Sequence, residues 1–201
     1  MGTKIVLLGA SGSGKSTIED ELCCLGAKNA ISHTTRPYRS GEINGKDYFF
    51  VSEKFMKELI KRDFMVEYAV YNGYYYALSK ESLKESNIIV IEPQGLKSLK
   101  EKNIKICSFY VKVSEENRKQ RMLKRGDSLE SIENRLANDR EAFKDVEKEV
   151  DYIIPENLNK EETVNFILSS TLKHIYDKSE NKNNFLASLL FNPWNVKNLN
   201  W

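Results

Sequence analysis

The sequence predicts a three-layer α/β fold with a parallel central sheet, and three observations support this prediction. Short apolar runs alternate with longer amphipathic stretches along most of the 201 residues, a pattern typical of a parallel sheet with helices on both faces. The block 32–83 breaks this rhythm with short, alternating strand patterns, which indicates an inserted mixed α/β lobe. A glycine-rich loop directly follows the first apolar run.

Four apolar runs are predicted as the strands of the central sheet, at 4–8, 87–91, 104–113 and 152–154. The amphipathic stretches between them are predicted as helices at 15–25, 94–102, 115–124, 129–148 and 160–176. Local signals mark several helix ends. Gly26 follows the first helix in the C′ position, Ser114 is a candidate N-cap, and Asn159 with Glu162 has the spacing of a capping box.

The inserted block is predicted to contain strands at 48–51, 65–71 and 74–78 and one helix at 53–61. The sequence therefore divides into a core (1–31 and 84–177), a lobe (32–83) and a tail (178–201). The tail holds both tryptophans, and the apolar spacing of 185–191 suits a short amphipathic helix. We expect this helix to dock on the body of the chain or on a second copy, which would form a homo-oligomer. A disordered terminus is the alternative.

Composition limits the classes of function. Hydrophobic residues make up 40% and charged residues 30% of the chain, so a packed core is expected. The formal net charge of +2 favours neither nucleic acid nor a membrane surface as a partner, and no run approaches the ~18 apolar residues of a membrane span. Cys23, Cys24 and Cys107 have neither metal-ligand spacing nor an even count, which predicts a reduced, cytoplasmic protein.

The glycine-rich loop predicts nucleoside triphosphate binding. Residues 9–16 fit the pattern G-x-x-x-x-G-K-[ST] between a predicted strand and a predicted helix. Backbone N–H groups of such a loop converge on phosphate oxygens at a helix N-terminus. Lys15 is predicted to reach the β- and γ-phosphates, and the Ser16 hydroxyl to bind Mg²⁺. The predicted nucleotide-binding residues are Gly9, Ala10, Ser11, Gly12, Ser13, Gly14, Lys15, Ser16 and Thr17.

A second anion site is predicted in the stretch SHTTRPYRSGEINGKDYFF, residues 32–50. Arg36 and Arg39 can direct two guanidinium groups at one dianionic phosphate, and Tyr48 can add a hydroxyl donor. Gly41 and Gly45 allow the turns that return the chain toward the arginines. A solvated basic loop is the alternative.

The phosphate loop followed by T-T-R-P-x-R-x-G-E-x-x-G-x-D-Y-x-F resembles the guanylate kinase family over roughly Lys4 to Ile175. The resemblance implies a three-layer P-loop kinase fold with an acceptor-binding lobe and a helical lid at about 121–140. It also implies ATP and Mg²⁺ as cofactors and nucleotides as the small-molecule substrates. By resemblance, the acceptor phosphate contacts are Arg36, Arg39, Tyr48 and Tyr76. The guanine contacts are Ser32 and Glu67, and the lid arginines are Arg125 and Arg135.

Glu67 lies in an apolar, alternating strand pattern, where an unpaired carboxylate would be costly. Guanine presents N1–H and N2–H₂ side by side and can satisfy a carboxylate, whereas adenine presents an acceptor at N1. The alternative is an edge-strand glutamate that faces water. Just before the lid segment, Arg118 and Lys119 are interpreted as surface residues of a helix.

The chain departs from the family pattern at two places. Leu78 stands where a serine or threonine hydroxyl would face the guanine 6-position, and Val90-Ile91-Glu92 replaces an Asp-x-Asp ending. The first departure predicts weaker discrimination at the 6-position, and the second changes the surroundings of Mg²⁺, with Glu92 as the remaining acid. The favoured function is ATP-dependent phosphorylation of GMP or dGMP, with Lys15, Arg36, Arg125 and Arg135 as catalytic residues. A kinase for another or modified nucleotide, or a non-catalytic binding module, are the alternatives.

Overall fold

The computed structural model describes residues 2–39 and 41–179. Within these residues the strands are β1 (Lys4–Leu8), β2 (His33–Thr34), β3 (Phe49–Phe50), β4 (Met65–Tyr71), β5 (Tyr74–Ser79), β6 (Ile88–Val90), β7 (Ile106–Val111) and β8 (Tyr152–Ile154). The helices are α1 (Lys15–Cys24), α2 (Glu53–Lys61), α3 (Lys80–Glu85), α4 (Pro93–Glu101), α5 (Glu115–Lys124), α6 (Leu129–Ala142), α7 (Val146–Glu149) and α8 (Lys160–Asp177). The predicted docking of the tail falls almost entirely outside the described residues.

The parallel central sheet is confirmed. Its four strands have the order β6-β1-β7-β8, and every neighbouring pair is parallel. Ile5 of β1 lies opposite Ile88 on one side and Cys107 on the other. The strands are those predicted from the four apolar runs, and the first and last have the predicted bounds.

Successive residues of β1 enter two different cores, which explains the three layers. Val6 and Leu8 pack in one core with Leu96 and Leu99 of α4. Ile5 and Leu7, which point to the opposite face, pack with residues of α1 and α8. All five residues of β1 are buried, and four of them in succession, Ile5 to Leu8, are apolar, as expected for a strand in a sheet covered on both faces.

The lobe contains a second, mixed sheet with the order β3-β2-β5-β4. Strands β2 and β3 are parallel, whereas β2–β5 and β4–β5 are antiparallel. Helix α2 begins at its N-cap Ser52, whose side chain accepts from the Phe55 N–H, and Met56, Met65 and Ala77 form a small core beneath it. The helix at 53–61 and the strand at 65–71 were predicted with these bounds.

The prediction of one continuous helix at 129–148 is wrong. Helix α6 ends at Ala142, and the short α7 follows from Val146. Phe143 and Val146 are both buried in the core of the parallel sheet. The break between α6 and α7 therefore lets both side chains remain in the core while the chain turns toward β8.

Candidate active site

One cavity of about 350 Å³ lies where the phosphate loop follows β1 and faces the lobe. The predicted site residues that line it are Ser11, Gly12, Ser13, Gly14, Lys15, Ser16, Thr17, Ser32, Arg36, Arg39, Tyr48, Glu67, Tyr76, Glu92, Arg125 and Arg135. Three predicted site residues, Gly9, Ala10 and Leu78, are absent from this lining. The structure thus brings the phosphate loop, the lobe residues and the two arginines predicted for the lid together at the carboxyl ends of the parallel strands, where ligands bind in such folds.

Glycines give the phosphate loop its shape. Gly12 and Gly14 have φ of 78° and 95°, a region that other residues rarely adopt. A Cβ on Gly12 would also lie 2.8 Å from the Arg118 carbonyl oxygen. Gly14 is the N-cap of α1, so the loop leads directly into the positive end of that helix.

Lys15 bends back over this loop. Its Nζ donates to the Gly9 carbonyl oxygen, with the Ala10 carbonyl oxygen at 3.5 Å. Burial lowers the pKa of Lys15, and the carboxylate of Glu92 opposes this shift. The ammonium group is therefore hydrogen-bonded to carbonyl oxygens at the cavity, and an anion at the loop would offer it a stronger partner.

The two terminal nitrogens of Arg36 are engaged inside the lobe. The residue is only 7% exposed, and these nitrogens donate to the two carboxylate oxygens of Glu42 at 2.7 Å each. The guanidinium also lies over the ring of Tyr48, 5.2 Å from its centroid. The Arg39 N–H donates to the same carboxylate at 2.7 Å. Glu42 therefore fixes the arginine loop, and the fork of Arg36 is less open to a ligand than the sequence suggested.

Arg39 is the member of the arginine cluster that has no carboxylate partner among the described residues, whereas Arg36, Arg125 and Arg135 each have one. Its Nε, like that of Arg36, is buried without a hydrogen-bond partner in the same ranges. Burial lowers the pKa of Arg39, and the nearby charges of Arg36, Arg135 and Arg125 act in the same direction. Four guanidinium groups with overlapping fields form a site that favours a multivalent anion.

The lid arginines are oriented by one carboxylate. Asp127 accepts from Arg125 and, at 3.0 Å, from Arg135. These charges hold the pKa of Asp127 below its usual range, although burial acts against them. The shared carboxylate fixes both guanidinium groups at the rim of the cavity, from which they can reach a phosphate.

Glu67 lines the same cavity and is 6% exposed. The interpretation of a glutamate that faces water is therefore wrong. Burial raises the pKa of Glu67 to about 7, and a hydrogen bond from the Leu78 backbone acts against this shift. A Cβ on Gly95 would lie 2.8 Å from Glu67 Oε2, so the glycine at the start of α4 is what leaves room for the carboxylate.

The structure also corrects the interpretation of Leu78. Its side chain is wholly buried in the core with Val66 and Ile89 and does not line the cavity. Strand alternation and the bulge between Met65 and Glu67 set this orientation. Only the Leu78 backbone meets the site, through its hydrogen bond to Glu67.

Ser16 and Glu92 supply oxygen atoms suited to a hard divalent cation. Both line the cavity, and Glu92 Oε2 is buried without a hydrogen-bond partner among the described residues. Burial raises the pKa of Glu92 to about 7, opposed by the charge of Lys15. Hydroxyl and carboxylate oxygens are the ligands that Mg²⁺ uses beside phosphates, so the residues present fit this ion.

Sequence reasoning missed one buried cluster next to the phosphate loop. Arg118, interpreted as a surface residue, is 6% exposed. It forms a 2.7 Å ion pair with Asp139, and its Nη1 also donates to the Ser11 carbonyl oxygen at 3.3 Å. Tyr71, which lines the cavity, donates to the same carboxylate. The helical spacing of Arg118 and Asp139 gave no signal of this contact, because both fall in strongly charged stretches.

A third polar cluster, Cys107, Asp151 and His174, lies away from the cavity, with potential ligand atoms within 4.8 Å of one another. Its members already have partners: Asp151 Oδ2 accepts from the Ser108 N–H and Oγ at 2.8 and 2.6 Å. Burial raises the pKa of Cys107 to about 12, which disfavours the thiolate that metal binding needs. We interpret the cluster as structural.

A phosphate loop at the end of a parallel strand, facing a lobe and lid rich in arginines, defines a P-loop nucleotide phosphotransferase. The chain belongs to the guanylate kinase family, since the sequence model described as guanylate kinase matches residues 1–174. It is thus a nucleoside monophosphate kinase by family. Within the described part of the chain, no helix has the length and apolar character that crossing a bilayer requires.

Individual proteins agree with this assignment. The chain is 37% identical to a guanylate kinase of Helicobacter pylori (strain ATCC 700392 / 26695) over 183 residues, which cover 85% of this chain and 87% of the relative. It is 34% identical to a guanylate kinase of Wolbachia pipientis wMel over 195 residues, 88% and 94% of the two chains. The fold is similar to the crystal structure of a guanylate kinase from Anaplasma phagocytophilum, with a TM-score of 0.63, 23% identity and coverage of 86% and 85%. The predicted three-layer fold and the predicted family are confirmed.

Proposed function

We propose that this protein transfers the γ-phosphoryl group of ATP to GMP or dGMP and forms the diphosphate and ADP. The observation that carries the proposal is that one cavity is lined both by the phosphate loop and by Arg39, Tyr48 and Glu67. We assign the donor side to the core, 1–31 and 84–177, with its lid at about 121–140, and the acceptor side to the lobe, 32–83. The three unpaired cysteines support a cytoplasmic location.

On the donor side, the backbone N–H groups of the loop and the Lys15 ammonium would bind the β- and γ-phosphates of ATP. Ser16 and Glu92 are the residues that would hold Mg²⁺. When bound, this ion supplies positive charge that offsets the charge of the transferred group. Gly9 contributes its carbonyl oxygen to Lys15, and the side chain of Ala10 is buried beneath the loop.

On the acceptor side, we assign the phosphate of GMP chiefly to Arg39, because Arg36 is already bound by Glu42. Arg36 would then stabilise the loop and contribute its positive charge, while its two terminal nitrogens remain hydrogen-bonded to Glu42. Tyr48 and Tyr76, whose rings lie 6.1 Å apart at the cavity, would donate hydroxyl hydrogen bonds. Burial raises the pKa of Tyr48, so its hydroxyl stays protonated and remains a donor.

Transfer itself requires positioning and charge stabilisation more than a general base, since a dianionic acceptor is already nucleophilic. Negative charge spreads over the equatorial oxygens of the transferred group. Arg125 and Arg135, oriented by Asp127, would stabilise that charge as the lid closes. Lys15 would stabilise the same charge from the donor side.

Glu67 is assigned to the guanine base, with Ser32 beside it. The ionised carboxylate can accept from N1–H and N2–H₂ together, and both residues are buried at the cavity. The alternative acceptor, a differently substituted purine, was motivated by the missing hydroxyl at Leu78. The burial of the Leu78 side chain in the core removes that support.

Base preference tests the proposal. We expect kcat/KM, measured by ADP release at saturating ATP, to be highest for GMP or dGMP. It should fall for IMP, which lacks the 2-amino group, and fall furthest for AMP, by ~10⁴-fold, because AMP leaves a buried carboxylate unpaired. For the monophosphate of 2-aminoadenine, kcat/KM should fall less than for AMP. In the Glu67→Gln variant, the differences in kcat/KM between GMP and the other monophosphates should be smaller. An AMP rate above the GMP rate would refute the guanine assignment.

Activity toward GMP should depend on pH through Glu67. Burial raises the pKa of this carboxyl to about 7, and only its ionised form can accept two N–H bonds. The value of kcat/KM for GMP should therefore rise with pH through about 7 and fall tenfold per unit below it. In the Glu67→Gln variant, this rise of kcat/KM with pH should be absent, whereas any pH dependence that arises from ionisation of the GMP phosphate should remain. A wild-type profile identical to that of the variant would contradict the assignment.

Gly95→Ala should weaken GMP binding selectively. The new Cβ would lie 2.8 Å from Glu67 Oε2, so the carboxylate must move, and a displacement of about 1 Å can cost ~10²-fold in rate. Alanine favours a helix by about 1 kcal/mol over glycine, so a loss of α4 would not explain the effect. We expect the KM for GMP to rise 10- to 100-fold with little change for ATP, whereas Lys97→Ala on the same helix should change neither.

A further inference from the structure

Asp139 is a buried charge that belongs to none of the roles assigned above. It lies near the end of α6, is 1% exposed and does not line the cavity. A carboxylate removed from water requires hydrogen-bonded partners. The partners of Asp139 come from three other segments of the chain, which makes it a junction rather than a local ion pair.

The first partner is the phosphate loop. The Ser11 N–H donates to Asp139 Oδ2 at 2.9 Å. Arg118, from α5, donates to the same oxygen at 2.7 Å and also contacts the Ser11 carbonyl oxygen. Asp139 and Arg118 thus hold the backbone of Ser11 on both sides, one through its N–H and the other through its carbonyl oxygen.

The second partner is the lobe. The Tyr71 hydroxyl, at the end of β4, donates to Asp139 Oδ1. Burial and the charge of Asp139 raise the pKa of Tyr71, so the hydroxyl remains a donor. On the adjoining residue of α6, the Asn138 amide donates to the Asn72 side-chain oxygen. Two consecutive residues of α6 therefore bind the tip of the β4–β5 hairpin.

This hairpin tip is a rigid element. Both central residues of its turn, Asn72 and Gly73, have positive φ, of 51° and 78°, as in the type I′ turns that join two strands tightly. A hydrogen bond at Tyr71 is therefore transmitted to the whole hairpin. The same hairpin carries Glu67 and Tyr76, which face the acceptor end of the cavity.

We infer that Asp139 is a positioning residue, which keeps the phosphate loop and the acceptor hairpin in register by binding Ser11 and Tyr71 with one carboxylate. The inference rests on the proposed phosphoryl transfer between those two sides. Transfer requires the two nucleotides to be aligned closely, and an error of about 1 Å in position can cost ~10²-fold in rate. The role is expressed in kcat, because each nucleotide can still bind its own half of the cavity.

The test separates position from stability by removing the two links one at a time. Tyr71→Phe deletes only the hydroxyl and leaves Asp139 paired with Arg118. Asp139→Asn weakens both links. Tyr68→Phe is the matched control, since Tyr68 lies on the same strand, is 47% exposed and does not line the cavity. For each variant and for the double variant, kcat, both KM values and Tm are measured at saturating partner substrate.

We expect Tyr71→Phe to lower kcat about 10-fold and Asp139→Asn up to ~10²-fold, with the KM for ATP within about 2-fold. The double variant should lose less than the product of the two single losses, because the second change removes a bond that the first has already weakened. Tyr68→Phe should resemble the wild type. Wild-type kcat in Tyr71→Phe, or losses that only follow a lower Tm, would overturn the inference. If the wild type prefers another monophosphate, the assignment of guanine as the base fails. The kcat of each variant relative to the wild type, measured with that other substrate, then still decides the role of Asp139.

Discussion

Replacing Lys15 with alanine is expected to lower kcat at least ~10²-fold, the order of loss found when one preorganised donor to a developing negative charge is removed. The structure gives a specific reason for a large effect. Within the described part of the chain, the hydrogen bonds of the ammonium group go to the loop carbonyl oxygens of Gly9 and Ala10, which a phosphate of the nucleotide can replace. GMP affinity should largely survive, because Arg39, Tyr48 and Glu67 lie on the acceptor side.

The measurement is turnover by ADP release together with GMP binding by calorimetry. Lys173→Ala, which removes an exposed lysine from α8, is the charge-matched control and should behave as the wild type. If Lys15→Ala retained near wild-type turnover, the donor site would lie elsewhere. If it lost GMP binding as fully as turnover, the division of the cavity into donor and acceptor sides would be wrong.

Replacing Arg39 with alanine should weaken GMP binding far more than ATP binding. Loss of one partner of a buried charge pair typically costs about 2–5 kcal/mol, roughly 30-fold to several thousand-fold in affinity. We expect the upper part of this range, because the fork of Arg36 is taken by Glu42 and cannot replace Arg39. Removing one of four like charges should also leave stability unchanged or slightly raised.

Titration of GMP and of a non-hydrolysable ATP analogue into the variant decides this prediction. Arg62→Ala is the control, since Arg62 is an exposed arginine paired with Glu58 on the helix surface and such pairs contribute little. Equal weakening of both nucleotides would show that Arg39 serves the whole cavity. Unchanged GMP affinity would show that the phosphate of GMP is bound by Arg36, Tyr48 and Tyr76 instead of Arg39.

Elements with strong local signals could be predicted from the sequence, and those defined by tertiary contacts could not. β1 and α2 have the predicted bounds because a continuous apolar run and a serine N-cap, respectively, specify them locally. β2 escaped prediction because two residues are too few for any periodicity. The break after Ala142 escaped because no glycine or proline marks it; burial of Phe143 and Val146 in the sheet core decides it.

The same distinction applies to the site. A motif with fixed spacing located the phosphate loop, and a carboxylate in an apolar strand indicated Glu67. Spacing could not show that Glu42 would occupy the fork of Arg36, or that Arg118 and Asp139 would meet in the interior. Charged residues on predicted helices are assigned to solvent by default, and only the approach of α5 to α6 reverses that assignment.

Ordinary buffer dianions are expected to bind in the cavity, because four guanidinium groups cluster there, those of Arg36, Arg39, Arg125 and Arg135. Any dianion that enters the cavity relieves their repulsion and so stabilises the folded state in proportion to its occupancy. Inorganic phosphate and sulfate should therefore raise the melting temperature and compete with both nucleotides, whereas chloride should act only through screening. Purification in phosphate would yield a protein that resists heating and has an inflated apparent KM, and both effects should vanish on dialysis into a monovalent buffer.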